Sequence, residues 1–117
     1  MLPSSIRVSK RSEQKLKTLS GFTGLNRNAI ARIAIMLAIK EGGNLANAGV
    51  ADYQGQEFNQ FLLFGENSTV YDVIINQYIK DKEIELSTKQ AIVAMIEVGL
   101  FRMGHIRSVA DFSTIVT

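Results

Sequence analysis

The sequence has no cysteine, one histidine and one proline in 117 residues. Without cysteine there is no disulfide framework, no thiolate metal site and no cysteine nucleophile. That composition suits a reducing cytoplasm. The single histidine, His105, follows Gly104 and reads as a helix-end or surface residue. No His/Asp/Glu cluster has metal-ligand spacing, and a Ser-His-Asp triad has no evident acid to complete it. Neither G-x-x-x-x-G-K-[ST] nor G-x-G-x-x-G occurs. The glycines of "GFTGLN" can offer backbone N–H groups to a phosphate, but read first as a turn between helices. Asp81, Glu83 and Glu85 read as a solvated acidic linker rather than a cation site. These absences argue against an enzyme acting alone, and no cofactor or metal is expected. Long apolar runs are missing too: "IAIMLAI", residues 33–39, falls far short of the roughly 20 residues that span a bilayer. The opening "MLPSSIRVSK" has no run of signal-peptide length. A cytoplasmic protein without membrane contact is the expectation.

What is present is charge of one sign in one place. The net charge is only +2. Residues 1–40 carry eight basic residues against Glu13 alone, a balance of +7, whereas residues 41–117 carry five basic and ten acidic residues, a balance of −5. Such polarity implies an anionic partner for the basic part, or else a solvated face that keeps the protein soluble. The length is that of one domain, residues 1–117. There are no repeats, low-complexity tracts or linkers to divide it. Within it, a basic part (4–42) is followed by a helical, acidic remainder (43–117).

Along the chain, "SIRVS" (5–9) alternates polar and apolar residues and predicts a short half-buried strand, with Ser5, Arg7 and Ser9 outward. Ser12 and Glu13 predict the start of a helix over 13–20, which Gly21 ends. Asn26 caps a second helix over 27–41. From Ile33 to Ile39 that helix has no polar face, so it must be covered all round. A chain of this size has little material for that, and association between copies is the expected resolution. Residues 44–56 read as a polar loop. In "EFNQFLLFG" (57–65), periodicity leaves strand and helix open. A helix over 67–82 is expected to turn Val70, Tyr71, Ile74, Ile75 and Tyr78 inward. Ser87 and Gln90 form a capping box for a helix over 88–103 with Ile92, Met95, Ile96, Gly99 and Met103 inward. Ser108 and Asp111 suggest a last short helix. The fold class is mainly α: a short N-terminal strand followed by a compact, oligomeric helical bundle.

A basic strand, helix, glycine turn and second helix resemble the ribbon-helix-helix DNA binders, in which paired strands of two chains enter the major groove. The chain departs from them in its long helical continuation. A match over nearly the whole length is carried by "LPSSIRVSKRSEQKLKTLSGFTGL", "NRNAIARIAIMLAIKEG" and "EFNQFLLFGE". In these stretches the sequence resembles the DndE family. That resemblance implies a role in DNA phosphorothioation, the replacement of a non-bridging phosphate oxygen by sulfur. It also implies a non-catalytic member that binds duplex DNA with a preference for nicks, forms a homotetramer and works beside the other sulfur-modification proteins. The residues expected to hold the DNA backbone are Arg7, Lys10, Arg11, Lys15, Lys17 and Arg27, while Arg32 is left to pair with an acid inside the oligomer. The alternatives are a ribbon-helix-helix repressor or antitoxin, and a scaffold for the modification enzymes.

Overall fold

Two short strands tie the start of the chain to its middle. In the computed structural model, which describes residues 2–42, 45, 53–104, 106 and 107, strand β1 (Ser5–Arg7) pairs antiparallel with β2 (Glu57–Asn59). Ile6 faces Phe58 and Arg7 faces Glu57. The two apolar side chains lie buried on the inner face. Directly opposed residues on the outer face form a cross-strand ion pair, with Arg7 Nη2 3.3 Å from Glu57 Oε2. Pairing runs one step further, as Val8 donates to Gln56 O at 3.1 Å and Gly55 donates to Val8 O at 2.8 Å. β1 is thus paired within its own chain, not reserved for a second copy.

Helix α1 (Lys10–Thr23) begins three residues before the predicted start. Its cap is Ser9, whose Oγ accepts from Ser12 N at 3.0 Å, rather than Ser12. Ser9 and Ser12 are both buried, so Ser9 does not face outward with Arg7. The reason is tertiary: each hydroxyl donates to the Glu97 carboxylate, a partner more than 80 residues away. The helix ends at Gly24, in left-handed conformation with φ 77°, where a side chain is disfavoured. Gly21, expected to end it, lies inside.

Helix α2 (Arg27–Glu41) has the predicted bounds, and the Asn26 side chain accepts from Ala29 N at 2.8 Å. Much of its apolar circumference is covered by its own chain, through α1, helix α3 (Gln60–Phe64) and helix α5 (Thr88–Arg102). The expectation that one chain lacks material to bury this helix is corrected to that extent. The uncovered part centres on Met36, 39% exposed. Residues 57–65 resolve as strand followed by helix, and the Asn59 side chain caps α3. A 3₁₀ turn, Gly65–Asn67, leads into helix α4 (Ser68–Asp81). Among the inward residues expected on α4, Ile75 is buried and Tyr71 and Tyr78 pack against the core. Val70 is instead 55% exposed, while Ile79 packs inward.

The Ser87–Gln90 capping box forms as expected and opens α5. All five residues expected to face inward on α5 are buried. Yet α5 is covered on every side from Ala91 to Glu97. It crosses α2 so closely that a Cβ on Gly99 would lie 2.0 Å from the Ala34 carbonyl oxygen. The contiguous core runs from Leu2 to Ile106. His105 and the helix expected around 108–111 lie outside the described residues, as does most of the 44–52 loop.

Candidate nucleic-acid interface

The buried side of α1 is Ser12, Leu16, Leu19 and Thr23. Steps of three and four residues place Lys10, Gln14, Lys17 and Gly21 on one line along its outer surface, and Arg11, Lys15, Thr18 and Phe22 on the adjacent line. Both lines are solvent-facing, Lys15 alone being half-buried. Neither carries an acid. Glu13, the one acid of the helix, lies half-buried nearer the core side. The outer half of α1 therefore presents four cations with no counter-charge of its own. Past them, a Cβ added at Gly21 would meet nothing within 4 Å, so the surface is low there.

The six basic residues expected to bind DNA divide by what they touch. Arg7 donates to Gly55 O at 3.0 Å besides its ion pair with Glu57. Arg27 donates to Gln56 Oε1 at 2.8 Å. Successive residues 55–57 thus hold both guanidinium groups, bringing the strand and the start of α2 together. Arg11 places Nε 3.3 Å and Nη2 3.2 Å from Glu97 Oε1. Lys15 Nζ stands 5.3 Å from the centre of the Phe101 ring, and Lys10 and Lys17 project from the outermost line. Arg7, Arg11 and Arg27 thus spend donors on the fold, and Lys10, Lys15 and Lys17 lie on the outer lines of α1. Asn26 spends its oxygen on the first turn of α2. Arg32 Nη1 donates to Leu63 O at 2.7 Å.

Glu97 was not singled out in the sequence, although a lone acid within "AIVAMIEVGL" was a signal. It is 7% exposed and accepts from Ser9, Ser12 and Arg11, at the helix N-terminus where a negative charge is favoured. This carboxylate fixes the first turn of α1 to α5 and so sets the orientation of the basic lines. Phe22, Phe101 and Arg107 were likewise missed. Arg107 lies over Phe22 with Cζ 5.2 Å from the ring centre. Among the described residues no three His, Cys, Asp or Glu side chains gather as a metal site, and no helix is long and apolar enough to cross a membrane.

The geometry defines a small, mainly helical protein with a basic helix face set on a shared core. The family model "DNA sulphur modification protein DndE" matches residues 5–107, and the chain belongs to that family. Among solved structures it is similar to DndE from Escherichia coli B7A, described as involved in DNA phosphorothioation modification. That similarity has a TM-score of 0.70 at 21% identity, covering 88% of this chain and 99% of the other. A glycine-to-lysine variant of DndE involved in DNA phosphorothioation gives a TM-score of 0.69 at 19% identity, with the same coverage. At these identities the likeness carries the fold. No curated protein matches the chain by sequence.

Proposed function

We propose that this protein is a non-catalytic, DNA-binding component of DNA phosphorothioate modification. The observation that carries the reading is the outer half of α1, with Lys10, Arg11, Lys15 and Lys17 exposed or half-exposed and no acid among them. Such a surface tracks phosphates through charge and releases counterions as it does so. Arg7 and Arg27 extend it at the strand end, where a phosphate would compete with Glu57 and Gln56 for their donors. Base readout is weak in this arrangement, because Gln14 is the one amide on the outer lines of α1 and Arg11 is held by Glu97, so no paired set of side chains reaches base edges. Preference for a nicked duplex follows from the flexibility of a broken backbone and rests on the family resemblance.

Several copies would add their basic faces, giving avidity without a strong single site. The face that favours a homo-oligomer, a tetramer by the family resemblance, is an apolar groove of about 530 Å³ between α2 and Tyr71 of α4, lined by Leu25, Ile33, Met36 and Leu37 among others. The other sulfur-modification proteins are the expected protein partners, and the cytoplasm the expected place. The test is binding to intact, nicked and single-stranded DNA of unrelated sequences across a salt series. Salt-sensitive, sequence-independent binding that is strongest on the nicked duplex supports the proposal. Tight binding to one palindrome alone points to a repressor, and no binding at low salt to a scaffold.

A further inference from the structure

Beside the lysine line of α1 lies a groove that backbone neutralisation does not use. It runs between α1 and the end of α5, with a volume of about 390 Å³. Leu19, Leu100, Met103 and Ile106 form an apolar floor, all of them buried. Gln14, Thr18 and Lys15 line the α1 side, Gly104 and Arg107 the other, and among the described residues no acidic side chain lines it. Two aromatic rings flank it with their surfaces in solvent: Phe22, 46% exposed, lines the groove, and Phe101, 74% exposed, stands beneath Lys15. Each ring has a cation over it, Lys15 on Phe101 and Arg107 on Phe22.

Phe22 and the apolar floor form one contiguous apolar surface with a polar rim, the kind that marks a binding groove. A ring that can stack, with a cation beside it, suits a flat group joined to an anion. An apolar floor with Lys15 and Arg107 as the charged members of its rim complements such a group and repels a basic peptide. The volume falls within the range that encloses one small molecule, about 300–1,000 Å³, and is too small for a base-paired duplex. From this shape, charge and aromatic content we infer that the α1–α5 groove binds one unpaired nucleotide of DNA. The base takes the place of Arg107 over the Phe22 ring, and Lys15 and the displaced Arg107, which otherwise donates to Gly104 O and Ile106 O, hold the adjoining phosphates. Aromatic side chains next to a basic track are the general means of holding single strands. The inference rests on the DNA-binding reading and adds to it how a frayed or broken duplex is told from an intact one, namely by the base it can give up.

The probe is a short duplex carrying a three-nucleotide single-stranded tail with 2-aminopurine, compared with the same duplex with flush ends. The intact protein is expected to bind the tailed duplex about tenfold more tightly and to quench the 2-aminopurine, the size of effect one base–aromatic stack gives. Phe22→Ala, at a solvent-exposed position, is expected to remove the quenching and the tail preference, and Phe22→Trp to keep both. Circular dichroism checks that each variant is folded, and Phe101→Ala serves as the second variant. Equal binding of the two duplexes by the unaltered protein, with unchanged 2-aminopurine emission, overturns the groove while leaving backbone binding in place. Failure to bind either duplex at low salt removes the DNA-binding reading itself. A change of sedimentation in Phe22→Ala with quenching intact assigns the groove to contact between copies and overturns the inference.

Discussion

The crossing of α2 and α5 makes one substitution act with opposite sign at two glycines. At Gly99 an added Cβ would lie 2.0 Å from the Ala34 oxygen and 2.5 Å from its carbonyl carbon and Cα, against 3.4–4 Å for ordinary contact. These are backbone atoms of a buried helix and cannot rotate away. Relief requires α2 and α5 to part by more than an ångström along the most extensive contact in the molecule. Overpacking of a filled core costs about 1–3 kcal/mol, occasionally more. The gain from replacing glycine by alanine in a helix offsets only about 1 kcal/mol. Gly99→Ala is therefore expected to destabilise by about 2 kcal/mol. For a domain of this size the corresponding fall in Tm is about 8 °C. Gly21, also within a helix, has open space where its Cβ would go. Gly21→Ala is expected to keep the propensity gain and raise Tm by about 2–4 °C. Thermal unfolding followed by circular dichroism at 222 nm reads both. If Gly99→Ala matches or exceeds the unaltered protein, the close crossing of α2 and α5 is wrong.

Three other perturbations follow from named contacts. Glu97→Ala strips the acceptor from the buried Ser9 and Ser12 hydroxyls and from Arg11. It should cost about 2–3 kcal/mol in urea unfolding, since hydrogen bonds to a charged group are the stronger kind; a loss under 0.5 kcal/mol would count against the latch. Ser87→Ala breaks the capping box of α5 and should cost about 1 kcal/mol by the same measurement. Met36→Glu puts a charge into the apolar α2–α4 groove without entering the core. Sedimentation should show smaller assemblies, and an unchanged mass would remove that groove from the oligomer contact.

Local chemistry carried the elements whose signals are self-contained. The bounds and Asn26 cap of α2 were legible because the cap residue, the apolar run and Gly42 all lie within the segment. So was the Ser87–Gln90 box of α5. The start of α1 was not, because two serines compete for the cap. The choice of Ser9 is bound up with the burial of Ser12 against Glu97, a contact across more than 80 positions. β2 was illegible for the same reason: Phe58 alone marks an inner face, and only pairing with Ile6 makes it a strand. The surplus of positive charge was visible in composition, but its division was not. Which cations the fold consumes depends on Gly55, Gln56, Glu57 and Glu97 returning to the N-terminal segment. The exposed ring of Phe22 needed the end of α5 beside it before it defined a groove.

The most direct measurement is the salt dependence of duplex binding by the unaltered protein and by Lys10→Glu/Lys17→Glu. If Lys10, Arg11, Lys15 and Lys17 all meet phosphates, log K should fall against log salt with a slope of about −3 to −4 per chain, at about −0.9 per phosphate. Reversing the two outermost lysines should weaken binding to every sequence alike and flatten that slope by about 2. A slope near zero, or a double variant that binds as the unaltered protein does, would contradict a backbone-binding role for this helix.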